Sequence, residues 1–528
     1  MTTDTAARTG EPTSVRRPRA WFWAALAGLV SAASLLAVAE LFAVLVARSA
    51  SPVLAVGSFI VDIVPRPLKE FAITVFGESD KIALLAGVGL GAAVAAAIAG
   101  IVEYRFRPVG AILLGVGGAL ATAAIVTRAG ATALAWLPPV LGTVVGVVLL
   151  LLLSRRLRRW SAAASDGDAT AAGVDRRGFF LLSGIAAATA VVVGVGARVV
   201  NAATASVAAA RDALRLPAVR STVTVPEGAS LDVPGLSPII TPNADFYRVD
   251  TALTVPNVDP STWRLSIEGM VDKPVELTFD DLVAMGLDEY GVTLTCVSNE
   301  VGGGLVGNAI WQGVPIRDVL RLASPQGDAD MVLSESVDGF TASTPLSSLT
   351  DDGLDAIFAV AMNGEPLPFE HGFPVRMVVP GLYGYVSATK WVTKLTVTRF
   401  DQMEAYWTPR GYSAEAPIKM SSRVDTPKIG TPVSAGKVPI AGMAWAQPIG
   451  VKSVEVSIDD GDWQQATLST PINDQSWVQW VLEWDAQPGS HYITVRATDN
   501  QGNVQIQEPA AIAPNGSSGW QRTLVTVR

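Results

Sequence analysis

Five stretches of this chain are each long and apolar enough to cross a lipid bilayer, and all five fall in the first 200 residues: Trp21–Ala47, Ile82–Val102, Val109–Thr127, Ala131–Leu153 and Phe179–Val200. Crossing a bilayer takes about 20 helical residues, and in lipid a helix satisfies all of its own backbone hydrogen bonds. The sequence therefore predicts a bundle of five spanning helices. Its basic clusters predict the orientation. Arg16, Arg17 and Arg19 precede the first stretch; Arg105 and Arg107 follow the second; Arg155, Arg156, Arg158 and Arg159 follow the fourth; Arg176 and Arg177 precede the fifth. If all five cross, the four clusters fall on one side, which the positive-inside rule makes the cytoplasm. Everything after about residue 200 then lies outside the cell membrane.

Within the bundle, Pro138-Pro139 predicts a kink or break in the fourth span, and the glycines of the second and third spans predict close helix packing. Glu40, costly in lipid, is expected to face the bundle interior or the outer interface. Asp175-Arg176-Arg177-Gly178-Phe179-Phe180-Leu181 resembles an internal twin-arginine export signal, with Asp175 where a Ser or Thr is usual. The Ala/Ser/Asp/Gly run Ser161–Gly173 predicts a flexible cytoplasmic loop. Residues 1–200 hold no His and no Cys, so no axial histidines for haem and no thiolates for an iron–sulfur cluster are present there.

The two halves differ in charge. Residues 1–200 carry 18 Lys and Arg against 11 Asp and Glu; the remainder carries 21 against 37. So acidic a second half is a poor match for nucleic acid. Its pattern is α+β: Phe279–Met285 and Ile316–Ala323 read as helices, and Asn363-Gly364 between apolar runs reads as a hairpin turn. From about residue 430 short alternating strands and turns predict an antiparallel β-sandwich, and five of the 14 tryptophans lie between Trp463 and Trp520.

Cys296 is the only cysteine in the chain, so an intramolecular disulfide is excluded. Val292, Leu294 and Cys296 share one face of a predicted strand, with Thr293 and Thr295 on the other, and Gly302-Gly303-Gly304 follows. The thiol thus arrives at a strand end, where the glycine-rich loop is expected to leave room for a bulky group. A thiolate so placed is a soft ligand for a transition metal; the alternative is a small buried hydrophobe.

Five further segments carry a resemblance: Thr241-Pro242-Asn243-Ala244-Asp245-Phe246-Tyr247-Arg248, Leu294-Thr295-Cys296-Val297-Ser298-Asn299, Met362-Asn363-Gly364-Glu365-Pro366-Leu367-Pro368, His371-Gly372-Phe373-Pro374-Val375-Arg376 and Lys390-Trp391. In order and spacing, about 238–528 resembles the sulfite oxidase family of molybdenum enzymes. The resemblance implies a Mo-molybdopterin cofactor with Cys296 as metal ligand, and names Cys296 and Arg248 as the catalytic pair. It implies cofactor contacts from Tyr247, Arg248, Ser336, His371, Arg376, Ser387, Thr389 and Lys390, with Arg376 and Lys390 on the pterin phosphate. The other histidine, His491, is expected to be structural.

Two positions depart from the family. Glu300 follows the cysteine motif where arginines gather in sulfite oxidases, and Phe340 aligns with a catalytic tyrosine. Like-charge repulsion then argues against sulfite and leaves a neutral oxide, such as a sulfoxide, open. The sequence predicts this division: 1–160 four spans, 161–178 cytoplasmic loop, 179–200 fifth span, 201–237 linker, 238–402 α+β molybdopterin domain, 403–429 connector, and 430–528 an all-β Ig-like sandwich of the family's dimerisation type. Expected partners are the bilayer, a small-molecule substrate, a separate electron-transfer protein or quinone-linked subunit, and a second copy through the last domain. The competing reading is a non-catalytic surface receptor with a degenerate cofactor domain.

Overall fold

The computed structural model describes residues 20–46, 80–127, 134–166, 168–200, 203–252 and 254–528. The chain divides into two compact units, Met1–Ala203 and Thr204–Arg528.

Among the described residues of the first unit, five helices are long and apolar enough to cross a membrane: α1 (Ala20–Val46), α2 (Asp80–Arg105), α3 (Val109–Val126), α4 (Leu137–Ser165) and α5 (Ala169–Val200). Helix α1 packs on α2, α4 and α5. Glycine explains how close these helices come. A Cβ on Gly28 would fall 1.9 Å from Ala96 O, and one on Gly100 would fall 2.0 Å from Ala24 O. The sequence expectation holds only in part, because Gly87, Gly89, Gly91, Gly115 and Gly117 face open space. The prolines do not kink α4. Pro138 and Pro139 sit in its first turn, where the missing N–H costs nothing. The expected loop Ser161–Gly173 is also corrected: α4 runs to Ser165 and α5 starts at Ala169, because alanine-rich sequence favours helix. Arg176 and Arg177 are therefore helical and exposed.

Three arginine clusters, at the ends of α2 and α4 and near the start of α5, meet at one end of the bundle. Trp23 at the start of α1 lies 6.3 Å from Trp160 near the end of α4 and 6.4 Å from Phe179 near the start of α5. Arg158 Nη1 donates to Glu103 O at the end of α2, at 2.9 Å. Arg16, Arg17 and Arg19 lie outside the described residues. Glu40 is half-buried, whereas Glu103 is fully buried, its Oε2 accepting from Ala111 N at 3.0 Å.

The second unit opens with α6 (Ala203–Ala213), whose Arg211 donates to Leu367 O and Pro366 O. The expected linker is not a free one: Leu214, Leu216, Val219 and Leu236 pack against the main core. Ten strands follow: β1 (Arg264–Gly269), β2 (Val275–Thr278), β3 (Asp288–Thr295), β4 (Val306–Pro315), β5 (Met331–Ser336), β6 (Thr341–Pro345), β7 (Ile357–Met362), β8 (Glu365–Pro366), β9 (Arg376–Val378) and β10 (Val392–Thr398). They make two sheets, β2-β1-β10-β5-β6 and β3-β4-β7-β8 with β9 paired to β7. Only β1 and β10 pair in parallel. Asn363 and Gly364 make the β7–β8 turn with φ of 52° and 82°, a left-handed pair that favours these residue types.

The last module has two four-stranded antiparallel sheets. One is β11 (Ser421–Thr426), β12 (Gly436–Trp445), β16 (Val478–Ala486) and β15 (Thr467–Leu468). The other is β14 (Gln464–Gln465), β13 (Val451–Ile458), β17 (Gly489–Asp499) and β18 (Gln521–Val527). It starts at Ser421, inside the expected connector, whose Ala416 and Ile418 are core residues. Strand β3 was expected to present two different faces, yet Thr293 and Thr295 are as buried as Val292 and Leu294. The threonine face is covered by the last module: Trp477 N donates to Thr293 Oγ1 at 2.8 Å, and Thr293 N to Gln475 O at 3.1 Å.

Candidate active site

Cys296 follows β3 directly and is held by its backbone. Its N–H donates to Leu305 O, its carbonyl accepts from Asn299 N, and Asn299 Oδ1 accepts from Leu305 N at 2.8 Å. The loop is thereby closed on itself with the thiol, 8% exposed, on the wall of a cavity of about 140 Å³. Ser298 N–H points at Sγ from 3.4 Å. Burial pushes the thiol pKa up, while Ser298 and the charge of Lys390 pull it back toward thiolate.

The glycine run does not make this room, contrary to expectation. Arg423 Nη1 donates to Gly303 O at 2.9 Å, and a Cβ on Gly302 would strike Gln521. These glycines let the last module close against the loop. Glu300, in the same loop, is exposed and outside the cavity lining, so it cannot set the charge of the site.

Two cations line the cavity, both buried. Arg376, at the start of β9 and 5% exposed, donates to His371 O at 3.2 Å and to Met377 O at 3.3 Å. It lies 5.0 Å over the ring of Trp311. Burial lowers its pKa to about 10. Lys390 precedes β10 and is 9% exposed; its Nζ donates to Asp250 Oδ2 at 3.0 Å and to Glu370 O at 2.9 Å. Burial brings it down to about 8, against the pull of Asp250. Keeping two such charges away from water costs several kcal/mol each in general, which a fold retains only with good partners or an anion to bind.

His371 closes a short turn (Phe369–His371) and is 2% exposed. Burial, then Arg376 and Lys390, push its pKa down to about 4, so the ring is neutral near neutrality. Its Nε2 faces Asn243 O at 3.1 Å, and a carbonyl only accepts, so Nε2 carries the proton. Asn243 and Asn363 knit two of the sequence motifs together. Asn363 Nδ2 donates to Asn243 Oδ1 and Thr241 O, and Asn243 Nδ2 donates to Met362 O. Tyr247 stacks on Phe246 at 5.3 Å, and burial raises its pKa strongly, so the phenol stays protonated. Ser336, at the end of β5, is buried on the wall and its Oγ finds no hydrogen-bond partner among the described residues.

The structure thus brings Tyr247, Cys296, Ser336, His371, Arg376 and Lys390 to one cavity, and leaves three expected residues off its lining. Arg248 is exposed and bonds Asp250 at 2.9 Å, which gives it no contact with the cavity itself. Ser387 spends its hydroxyl on Leu382 O and Tyr383 O. Thr389 spends its own on Ser334 Oγ at 2.7 Å. Only Ala388 between them lines the wall. Sequence reasoning missed Asp250, Thr251, Asp338, Trp407 and Tyr412, which also line the cavity, as do Phe340 and Tyr385. Asp250 lies two residues beyond a recognised motif; the aromatics come from the segment after β10 and carry no motif of their own.

These groups suit an anionic cofactor that brings its own metal ligands. There is one soft thiol, two buried cations and an orphaned hydroxyl on one wall. Among the described residues no group of three or more His, Cys, Asp or Glu is placed to hold a metal ion on protein ligands alone. Comparison with known proteins gives the same cofactor: residues 252–407 match the family described as oxidoreductase molybdopterin binding domain. Over this segment the chain is similar to molybdopterin-binding domains. Mitochondrial sulfite oxidase of Rattus norvegicus is 32% identical over 342 residues, covering 54% of this chain and 62% of that protein. NAD(P)H nitrate reductase of Hordeum vulgare is 29% identical over 314 residues, 48% of this chain and 35% of that one. Among solved structures, the sulfane dehydrogenase SoxCD from Paracoccus pantotrophus matches with a TM-score of 0.48 and 24% identity, over 54% of this chain and 81% of that chain. The chain thus spans less than two thirds of the length of the mammalian relative, and the matches leave a large part of this chain uncovered. For the molybdopterin-binding domain, Arg376, Lys390, His371, Tyr247 and Ser336 are the groups that would hold the pterin and its phosphate, and Cys296 the group that would reach the metal.

Proposed function

We propose that this chain is a membrane-anchored oxidoreductase whose second unit works outside the cytoplasm, moving an oxygen atom to or from a small neutral oxide such as a sulfoxide. The observation that carries the reading is the charge of the cavity wall. Its two cations among the described residues, Arg376 and Lys390, are buried at the positions the pterin phosphate would need, and Phe340 stands where the family resemblance puts a tyrosine. Little positive charge is then left to draw in an anion such as sulfite. Sulfite oxidation is the second reading, supported by the names of the relatives.

A Mo-molybdopterin held here supplies two-electron oxygen-atom transfer. The residues do the rest. Cys296 presents sulfur, with Ser298 N–H and Lys390 favouring its thiolate form. Arg376 and Lys390 offer fixed positive charge, His371 stays neutral with Nε2–H on Asn243 O, and Tyr247 keeps its phenolic proton. Reduction of a sulfoxide consumes two electrons and two protons and yields a sulfide and water. The electrons come from a separate carrier protein or a quinone-linked subunit, since residues 1–200 hold neither His nor Cys. We read the two-sheet last module as Ig-like and as the contact surface of a homodimer.

Steady-state assay of the molybdenum-loaded chain with a reduced artificial carrier tests the substrate class. Aryl and alkyl sulfoxides are expected to turn over, and sulfite to need millimolar concentrations; micromolar sulfite affinity would sink this reading. Sidedness rests on the shared end of the arginine clusters and on the resemblance of Asp175–Leu181 to an export signal. Replacing Arg176 and Arg177 by lysines keeps the charge and the topology rule. It is expected to stop external exposure of the second unit. Normal exposure in that variant would mean that the pair sets orientation only.

A further inference from the structure

We infer that Ser517, in the last module, is a positioning residue for the Cys296 thiol, so that this module fixes the loop that would present sulfur to the metal. The inference rests on the molybdopterin reading above. It adds a residue that lies more than two hundred positions from the cysteine and belongs to none of the motifs around it.

The loop from Cys296 to Leu305 carries bonds of two kinds. Some close it on itself: Cys296 N donates to Leu305 O, Asn299 N to Cys296 O, and Gly303 N to Glu300 O. Asn299 joins this set at two points, because its Oδ1 also accepts from Leu305 N at the far end of the loop. The other kind comes from outside. The main-chain carbonyl of Asn299 accepts from Ser517 Oγ at 2.6 Å. Asn299 is buried, so a bond lost there is not readily replaced by water. Ser298, the residue before it, points its N–H at Cys296 Sγ. A shift of Asn299 is therefore passed both to the backbone of Cys296 and to the N–H that faces its sulfur.

Ser517 is itself held on both sides. Lys419 Nζ donates to Gly516 O, and Gly516 N to Ile512 O, each at 2.6 Å. Gly516 has φ of 93°, and a Cβ on it would fall 2.5 Å from the hydroxyl oxygen of Tyr383, so the turn needs glycine to come this close. Beyond the serine, Gln505 Nε2 donates to Gly519 O, and Trp520 Nε1 to Gln505 O. A fixed turn thus offers one hydroxyl to one carbonyl of the thiol loop. Arg423 bears on the same loop through Gly303 O, but it is buried against Asp425, and removing it would leave that carboxylate unpaired. The serine is the cleaner probe.

Because Cys296 is the only cysteine, alkylation reads this thiol alone. The full chain is purified in detergent from cells grown without molybdenum, and capture by iodoacetamide is followed by mass. At 8% exposure, access limits the reaction. Ser517→Ala is expected to speed it about fivefold, the change in a local opening equilibrium when one ordinary hydrogen bond is lost. Ser517→Thr keeps the hydroxyl and is expected to stay within about twofold of the parent chain. Ser457→Ala is the control: it removes a bond of the same kind inside the last module, to Gly461 O at 2.8 Å, and is expected to leave the rate unchanged. The second readout is the Mo(V) paramagnetic resonance spectrum of the partly reduced, molybdenum-loaded chain, whose g-values follow the geometry of the metal–thiolate bond. They are expected to shift in Ser517→Ala and to hold in the other two variants. An unchanged capture rate in Ser517→Ala, an equal rise in Ser457→Ala, or an unmoved spectrum overturns the inference. Faster capture in a chain that never takes up molybdenum would overturn the molybdopterin reading and leave the positioning of the thiol loop standing.

Discussion

The buried and the more exposed walls of the cavity are built on opposite principles. The buried wall is polar, and its groups are held in place: Arg376 by two carbonyls, Lys390 by Glu370 O and the Asp250 carboxylate, and Cys296 by a loop closed on itself. The more exposed wall is aromatic, made of edge-to-face rings, with Asp338 in a turn. Fixed donors suit a cofactor that stays; an aromatic lining suits a small molecule that comes and goes. The difference also shows in origin. Groups of the buried wall come from strand ends and tight turns of the two central sheets, whereas Trp407 and Tyr412 come from the segment leading to the last module.

The largest effect expected from breaking this division is loss of the cofactor. Arg376→Gln removes a buried cation but leaves an amide of similar reach. The variant is expected to fold, with unchanged far-ultraviolet circular dichroism, and to retain less than a tenth of the pterin, as the loss of a charge-assisted phosphate contact of about 2 kcal/mol implies. Full pterin content would place the phosphate elsewhere and blur the line between the two walls.

A smaller effect sharpens the contrast through pH. His371 is held near 4, against 6.5 for a free histidine, so the unfolded chain takes its proton first as pH falls. Stability from the neutral ring is present above 6.5 and is lost as pH drops through that interval toward 4. The size is about 3 kcal/mol at most. Other groups act in other windows or with the other sign. His491 is raised by its bond to Asp459, so its contribution is lost above 6.5 as pH rises. Asp355, raised by burial, opposes His371 near the acid end. The readout is therefore the difference between the parent chain and His371→Gln in urea midpoint from pH 7 to 4.5. Parallel curves would mean that the ring is not held neutral by its surroundings.

How much of this was legible in the sequence follows from how each feature is encoded. The five helices were, since bilayer-length apolar runs admit one local structure. So were Cys296, His371, Arg376 and Lys390, which sit in short motifs with little freedom of placement. Ser387 and Thr389 stand off the lining, their hydroxyls spent on backbone and on Ser334, which a short motif does not show. Arg248 also stands off the lining, paired with the wall carboxylate of Asp250. Glu300 and the glycine run were misread for a shared reason: that loop faces the last module, a contact over more than a hundred residues that local pattern cannot show. The aromatic wall was invisible for the same reason.

The central claim is that Cys296 carries the metal of a molybdopterin site, and X-ray absorption at the molybdenum edge tests it most directly. Serine nearly matches cysteine in volume but offers a harder, far less acidic donor. The spectrum of Cys296→Ser is expected to show one sulfur fewer around molybdenum than the parent chain, with turnover abolished and the fold retained. An unchanged sulfur count in that variant, or a parent chain purified from molybdenum-replete cells with no molybdenum, would contradict the account.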